Sequence, residues 1–132
     1  MSVETSVPVS VVIYAKDVAK VAAFYQRTLG LSVIEAEPKF VVVGDAQREI
    51  AVVRMPEARA RATLISDPPQ VREDTALKFS FLVDDFERVY REAAAAGGGT
   101  KRVNATWGWR GQLHLDGHDP EGNVVQFRKA EA

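Results

Sequence analysis

The chain has 132 residues, 46% of them hydrophobic and 27% charged, with a formal net charge of −1 and no cysteine. This composition is typical of one globular domain with a single core. The near-zero net charge gives no sign of a basic surface for nucleic acid or anionic membranes. The absence of cysteine excludes disulfides, thiol catalysis and cysteine-ligated metal. Residues 1–6 lack the basic start of an export signal and no apolar run reaches the roughly 18–20 residues of a membrane span, so we expect a cytoplasmic protein.

The first half of the chain predicts one strand, one helix and three further strands. Apolar residues alternate over residues 9–14, which is typical of a strand with one buried face. Asp17 is suited to cap the start of a helix and Gly30 to end it in a left-handed conformation. The three short strands that follow are predicted at 31–35, 40–44 and 49–55.

The second half repeats this order. Residues 77–83 predict a strand, Asp84 or Asp85 caps a helix, and Gly97-Gly98-Gly99 ends it. The strands after that helix are predicted at 100–104, 110–116 and 123–129. An internal repeat of this kind indicates two similar units. We therefore predict an α+β fold in one domain, residues 1–132, made of two βαβββ modules with curved mixed sheets.

The modules span about 9–55 and 77–129, and residues 56–76 link them. Within this linker, residues 62–66 are expected to form a brief strand or to lie across the sheet. The seam between two sheet modules is a common place for a pocket.

The strands are apolar on one face and polar on the other. The apolar faces are expected to pack under the helices and carry Val9, Val11, Ile13, Leu77, Phe79, Phe81, Leu113, Leu115, Val125 and Phe127. The opposite faces are expected to line a concavity and carry Ser10, Tyr14, Lys78, Ser80, Gln112, His114, Gln126 and Arg128. This mixture is typical of a solvated or ligand-binding surface rather than of a second core.

Two phrases of the sequence resemble the vicinal oxygen chelate superfamily, which holds glyoxalase I, bleomycin-resistance proteins, fosfomycin-resistance enzymes and extradiol dioxygenases. They are AKDVAKVAAFYQRTLGLSVIE at 15–35 and DPEGNVVQF at 119–127. The resemblance extends from about Val9 to Lys129. Both phrases are structural, because they cap and pack a helix or make a turn, so they indicate the fold more than the chemistry. The resemblance also implies a homodimer in which sheet edges are covered.

The resemblance implies a divalent metal held by His, Glu or Gln on the pocket face of the strands. The matching positions carry Ser10, Lys78 and Gln126, and the fourth falls near Val52. Only Gln126 can ligate a metal, and the Lys78 ammonium has no lone pair and would repel one. We therefore predict no metal at this place and no other cofactor.

Each remaining candidate has two interpretations. Lys78 is either a solvent-facing charge or a fixed cation that receives an anionic ligand group in place of the metal. Trp107 and Trp109 either pack over the sheet or at an oligomer contact, or form a wall for a planar ligand, as aromatic residues do in bleomycin-resistance proteins. His114 is the best candidate for acid–base catalysis, although it lacks an identifiable carboxylate partner. His118 is expected to be exposed in a turn.

Two functions compete. The first is metal-independent binding of a small molecule, partly aromatic and anionic, similar to drug-sequestering proteins of antibiotic resistance. Its ligand-binding residues would be Ser10, Tyr14, Lys78, Trp107, Trp109, Gln112, His114, Gln126 and Arg128. The second is a diverged enzyme, either a metal-dependent lyase, isomerase or dioxygenase, or a metal-free catalyst that uses His114 with Lys78. The residues at the metal positions favour binding.

Overall fold

The computed structural model describes residues 7–131. The interpretation of residues 1–6 as lacking an export signal lies outside the described residues. The first module comprises β1 (Val9–Ala15), α1 (Val18–Leu29), β2 (Ser32–Glu37), β3 (Phe40–Gly44) and β4 (Arg48–Arg54). A short helix, α2 (Glu57–Ala62), follows. The second module comprises β5 (Phe79–Leu82), α3 (Phe86–Ala95), β6 (Gly99–Thr100), β7 (Trp107–Trp109), β8 (Gln112–His118) and β9 (Val124–Ala130).

Each module contributes one mixed sheet. The strand order is β1-β4-β3-β2 in the first sheet and β5-β9-β8-β6 in the second, where β7 also pairs with β8. In both sheets the first strand pairs in parallel with the last strand of its module, and the other pairs are antiparallel. The predicted α+β fold of two βαβββ modules is confirmed.

The helices begin and end where local chemistry predicts. Asp17 accepts a hydrogen bond from the backbone N–H of Lys20 at 3.1 Å, and Gly30 ends α1 with a φ of 66°. Asp85, rather than Asp84, caps α3. The two helices pack on each other, and their buried faces join the inner faces of both sheets in one core. No helix in residues 7–131 is both long and apolar enough to cross a bilayer.

The turn before β9 ties the two modules together. Asp119 is buried and its Oδ2 accepts a hydrogen bond from the Tyr25 hydroxyl of α1 at 2.8 Å. Glu121 accepts the backbone N–H groups of Lys16 at 2.9 Å and of Asp17 at 2.7 Å. Asn123 donates from its backbone and from its side chain to Asp119. The Asp-Pro-Glu-Gly-Asn phrase therefore serves as a connection to the first module as well as a turn.

Burial dominates the electrostatics of this connection. Desolvation raises the pKa of the Asp119 carboxyl, although hydrogen bonds from Asn123 and Tyr25 act in the opposite direction. Desolvation and the neighbouring Asp119 also raise the pKa of the Tyr25 hydroxyl well above its ordinary value. Tyr25 therefore stays protonated and keeps its proton as a donor to Asp119.

The structure differs from the predicted elements at several positions. The strand predicted at 100–104 is only the two-residue β6, and residues 103–105 form a short 3-10 helix. Residues 57–62 form α2 and residues 63–66 have no regular structure, so of the two alternatives for residues 62–66 the brief strand is wrong. Three residues predicted on the buried faces are instead exposed: Val9 by 53%, Leu77 by 67% and Phe79 by 45%. Leu77 precedes the edge strand β5, and Phe79 begins it. The strand predicted at 110–116 is β8, which begins at Gln112, and an additional strand, β7, precedes it and is joined to it by Arg110 and Gly111.

The β7–β8 hairpin has a local cause. Arg110 and Gly111 have φ values of 55° and 75°, and they connect strands that pair up to Trp109 and Gln112. Two consecutive residues with positive φ make the tight turn that matches the twist of a two-residue hairpin. This turn folds the two tryptophans back onto β8.

Candidate functional site

The open face of the second sheet gathers most of the predicted site residues. Asp116 of β8 lies opposite Gln126 of β9, and His114 lies opposite Arg128. Opposed residues in a strand pair share a face, and Leu115 and Phe127 occupy the other face in the core. Gln112, His114, Gln126 and Arg128 therefore lie on one surface, as the alternation predicts.

Two tryptophans cover part of this surface. Trp107 pairs with His114 across the β7–β8 hairpin, and their rings stack with centroids 4.5 Å apart and planes 15° apart. Trp109 lies 5.8 Å from the same imidazole. The indoles remain 42% and 60% exposed. They form an apolar platform whose upper surface is open.

Strand alternation places both indoles on the same face, and Gly108 leaves room on the other face. Gly108 lies between the two tryptophans in β7, so a side chain at this position would point to the opposite face. A Cβ at Gly108 would lie 2.8 Å from Oε2 of Glu131. The Trp-Gly-Trp sequence thus places two aromatic rings on the open face and leaves room for the chain end on the other.

His114 lies under the platform rather than at its surface. Its side chain is 2% exposed, and Nδ1 has no hydrogen-bond partner among residues 7–131. Ser80 Oγ on the same face is also buried without a partner in that range. A base needs a reachable proton and a group that orients it. The stacked imidazole has neither an open approach nor a carboxylate contact in the described chain.

Arg128 places a positive charge beside the platform. It lies opposite His114, and its Nη1 donates to Gln112 Oε1 at 3.4 Å. In the described part of the chain no carboxylate lies within 4.0 Å of its guanidinium. Arg110 lies over the Trp109 ring, with its guanidinium carbon 5.3 Å from the ring centroid.

Lys78 is an ion-paired cation. Its Nζ donates to Asp116 Oδ1 at 3.1 Å, and Gln126 Nε2 donates to the same oxygen at 3.3 Å. Both charged side chains are partly exposed. Asp116 is absent from the predicted ligand-binding set, although its position two residues after His114 places it on the same face.

Ser10 and Tyr14 lie on the first sheet. Ser10 Oγ donates to Glu49 Oε2 at 2.9 Å. Tyr14 is 57% exposed and lines a cavity of about 420 Å³ with Val12, Leu77 and Phe79. Within residues 7–131, no hydrogen bond or ion pair joins Ser10 or Tyr14 to the site residues of the second sheet.

The residues at the metal positions of the resembled family do not fit a divalent cation. Val52 is fully buried and faces the core, so its assignment to the fourth position is wrong. The residue of β4 opposite Ser10 is Glu49. At the position just before β5, where the resembled pattern has an N or O ligand, the Lys78 ammonium lies beside Asp116 and Gln126. Throughout residues 7–131, no three His, Asp or Glu side chains converge as a metal site needs.

His118 is not exposed in a turn as expected. It is the last residue of β8, and it is half-buried where a Cβ on Gly99 would meet its ring. Desolvation lowers the pKa of His118 from its ordinary 6.5, and the negative charge of Asp119 partly opposes this. The imidazole is therefore neutral near neutral pH.

Comparisons with known proteins agree with this architecture. Residues 8–127 match the family model described as the Glyoxalase/Bleomycin resistance protein/Dioxygenase superfamily. No curated protein matches the chain at a significant level.

Several solved structures share the fold. A glyoxalase/bleomycin resistance protein/dioxygenase family enzyme from Burkholderia phytofirmans PsJN is 23% identical, with a TM-score of 0.65 over 92% of this chain and 96% of that chain. A glyoxalase/bleomycin resistance protein from Albidiferax ferrireducens T118 is 15% identical, with a TM-score of 0.64 over 91% and 95%. A bleomycin resistance determinant encoded on transposon Tn5 is 16% identical, with a TM-score of 0.57 over 93% and 97%. At these identities the likeness concerns the fold alone.

Proposed function

The chain belongs to the glyoxalase/bleomycin resistance protein/dioxygenase superfamily, and from that premise we propose that it binds a small, partly aromatic, anionic molecule without a metal. One observation carries the proposal: the Trp107–His114 stack lies next to the Arg128 guanidinium, which has no carboxylate partner in the described chain. The ligand would lie on the open face of the second sheet.

The aromatic part of the ligand would stack on the platform. Trp107 and Trp109 are the only tryptophans of the chain, and both keep a large exposed surface. Stacking of aromatic rings contributes about 0.5–1.5 kcal/mol per pair beyond the burial of apolar area. Because His114 supports Trp107 from below, the indole is held in place before a ligand arrives, which lowers the entropic cost of binding.

The anionic part would meet Arg128. A guanidinium presents planar donors that match the two oxygens of a carboxylate. The weak hydrogen bond to Gln112 at 3.4 Å leaves most of these donors free. In this proposal the aromatic anion meets Arg128, because Arg128 lies opposite His114, the residue on which Trp107 stacks.

Calorimetric titration with 2-naphthoate and its neutral analogue 2-naphthamide tests both parts. We expect 2-naphthoate to bind more tightly, and Arg128→Gln to weaken it by about tenfold while leaving 2-naphthamide nearly unchanged. Trp109→Leu should weaken both ligands. The matched control is Arg91→Gln on the exposed side of α3, which should change neither affinity. Equal effects of Arg128→Gln on the two ligands, or equal effects of the two arginine variants, would contradict the proposal.

The alternative is an enzyme that uses His114. No contact of His114 in residues 7–131 favours it, because the imidazole lies under Trp107 without a carboxylate partner. Conversion of a bound ligand to a product, abolished by His114→Gln, would establish catalysis instead of sequestration.

Antibiotic sequestration is one use for such binding. The Tn5-encoded protein of similar fold is described as a bleomycin resistance determinant. Bleomycin is cationic, and Arg128 beside the platform suits an anion better, so we propose a different drug or metabolite as the ligand.

We also propose a homodimer. Apolar side chains are exposed on the open faces of both sheets, among them Val12 and Leu82, and on the edge strand β2. Exposed strand edges and apolar faces are commonly covered by a second copy. Light scattering should give a molar mass twice that of one chain. Val12→Lys should lower this molar mass, whereas the control Ala58→Lys on α2 should leave it unchanged. The mass of one chain for the unaltered protein would contradict the dimer.

A further inference from the structure

A cavity of about 440 Å³ lies at the end of the second sheet opposite the tryptophans. Residues 71–78 form one wall, and the end of β8 with the start of β9 forms the other. This volume is within the range of about 300–1,000 Å³ that small-molecule sites occupy. Neither tryptophan, His114 nor Arg128 lines it. The cavity is therefore separate from the platform.

Charges of both signs line this cavity. Lys78 and Lys101 supply two cations, and Glu73 and Asp116 supply two anions. His118 also lines it, but its lowered pKa leaves it uncharged near neutral pH. A ligand with only one charge would be attracted by the wall charges of opposite sign and repelled by those of the same sign. A ligand with both charges would satisfy them together.

Hydrogen-bonding capacity remains at the Lys78–Asp116 pair. Asp116 Oδ1 accepts from both Lys78 and Gln126, while Oδ2 accepts no hydrogen bond from the described residues. The Lys78 ammonium has three donors and uses one of them on Asp116. A free carboxylate oxygen and free ammonium hydrogens thus lie side by side at the cavity wall.

The rest of the wall is apolar. Val71, Ala76, Leu77 and Val124 line the cavity, and Leu77 is largely exposed. An exposed leucine beside paired charges favours a ligand that carries an aliphatic group next to a polar head.

We propose that this cavity is a second binding site, for a small zwitterion with an aliphatic side chain, such as a branched α-amino acid. The ligand ammonium would donate to Asp116 Oδ2, and the ligand carboxylate would accept from Lys78 and Lys101. The side chain would pack on Leu77 and Val124.

Calorimetric titration with L-leucine tests this site. Two analogues each lack one charge: 4-methylpentanoate lacks the ammonium and isoamylamine lacks the carboxylate. We expect L-leucine to bind about tenfold or more tightly than either analogue, since each charged hydrogen bond contributes about that factor. Equal binding of 4-methylpentanoate and L-leucine would overturn the zwitterion. No binding of L-leucine, L-isoleucine or L-valine would overturn the site.

Variants locate the binding. Asp116→Asn and Lys101→Met should each weaken L-leucine by about tenfold, and both side chains are exposed enough for the fold to tolerate the change, which thermal unfolding checks. Trp109→Leu is the matched control, and it should weaken 2-naphthoate but not L-leucine. Loss of L-leucine binding in Trp109→Leu, or unchanged binding in both Asp116→Asn and Lys101→Met, would overturn the second site. If L-leucine binds and 2-naphthoate does not, the second site is supported and only the proposed aromatic site is refuted.

Discussion

Replacing Tyr25 with Phe removes one hydrogen bond from the connection between the modules. The Tyr25 hydroxyl donates to Asp119 Oδ2 at 2.8 Å, and both residues are buried. A hydrogen bond to a charged acceptor contributes about 1.5–3 kcal/mol to stability. Asp119 keeps three other donors, from the backbone of Glu121 and from the backbone and side chain of Asn123. The loss in the free energy of unfolding should therefore lie near the lower end of this range, at about 1.5–2 kcal/mol.

Urea denaturation and scanning calorimetry measure this loss. For a chain of this size, a loss of about 1.5–2 kcal/mol corresponds to a fall in Tm of roughly 5–8 °C. The packing of the ring on Phe24, with centroids 5.0 Å apart, should remain. Tyr90→Phe on the exposed face of α3 is the matched control and should change stability by less than about 0.5 kcal/mol.

The pH dependence of the Tyr25→Phe variant identifies the cause. The folded-state pKa of Asp119 is raised by burial, so its contribution to stability is greatest when it is protonated and is lost as pH rises through that pKa. Without the Tyr25 donor the charged carboxylate is harder to accommodate. The deficit of Tyr25→Phe should thus be larger at neutral pH than at acidic pH. A deficit equal to that of Tyr90→Phe at both pH values would refute this reasoning.

Two further predictions concern the second sheet. Burial lowers the folded-state pKa of His118 below 6.5, so the stability that His118 contributes is present above pH 6.5 and is lost as pH falls through the folded-state pKa. In His118→Asn the urea midpoint should therefore fall less steeply on acidification. A pH dependence of the midpoint equal to that of the unaltered protein would contradict this role of His118. Lys78→Met should cost less than about 1 kcal/mol in stability, because the ion pair is partly exposed, yet it should weaken L-leucine severalfold; unchanged affinity by calorimetry would place Lys78 outside the second site.

The sequence predicted those parts of the fold that depend on local chemistry. Asp17 and Gly30 bound α1 because a capping carboxylate and a left-handed glycine act within one turn of the helix. The family resemblance drawn from the two phrases is confirmed by the match over residues 8–127. Helix α2 was missed because it has six residues and lies in a segment of mixed charge, where Glu57 pairs with Arg61 one turn away.

For the site, the alternation of side chains along the strands predicted which residues share the open face of the second sheet, but not which side chains contact each other. His114, Gln126 and Arg128 share one side of the sheet because side chains alternate along every strand. The stack on Trp107 depends on the register of β7 with β8, and the pairing of Lys78 with Asp116 joins residues that are far apart in sequence. Nothing local in the sequence fixes such contacts.

The misplacement of Val52 has a simple geometric cause. An alignment of residues 52–54 with residues 126–128 places Val52 at the position of Gln126, but Val52 lies opposite Ile13 and faces the core. A shift of one residue along a strand moves a side chain to the other face of the sheet. The alternation of Glu49, Ala51 and Val53 along β4 was the signal that would have corrected it.

The central claim is that the platform and Arg128 bind an aromatic anion without a metal. The most direct test is calorimetric titration of 2-naphthoate into chelator-stripped protein, alone and after addition of Zn²⁺, Ni²⁺, Mn²⁺ or Fe²⁺. The account predicts the same dissociation constant in every case and no stoichiometric binding of the metals by themselves. Binding that is lost on stripping and restored by one metal per chain would contradict it and would favour the metal-dependent chemistry of the superfamily.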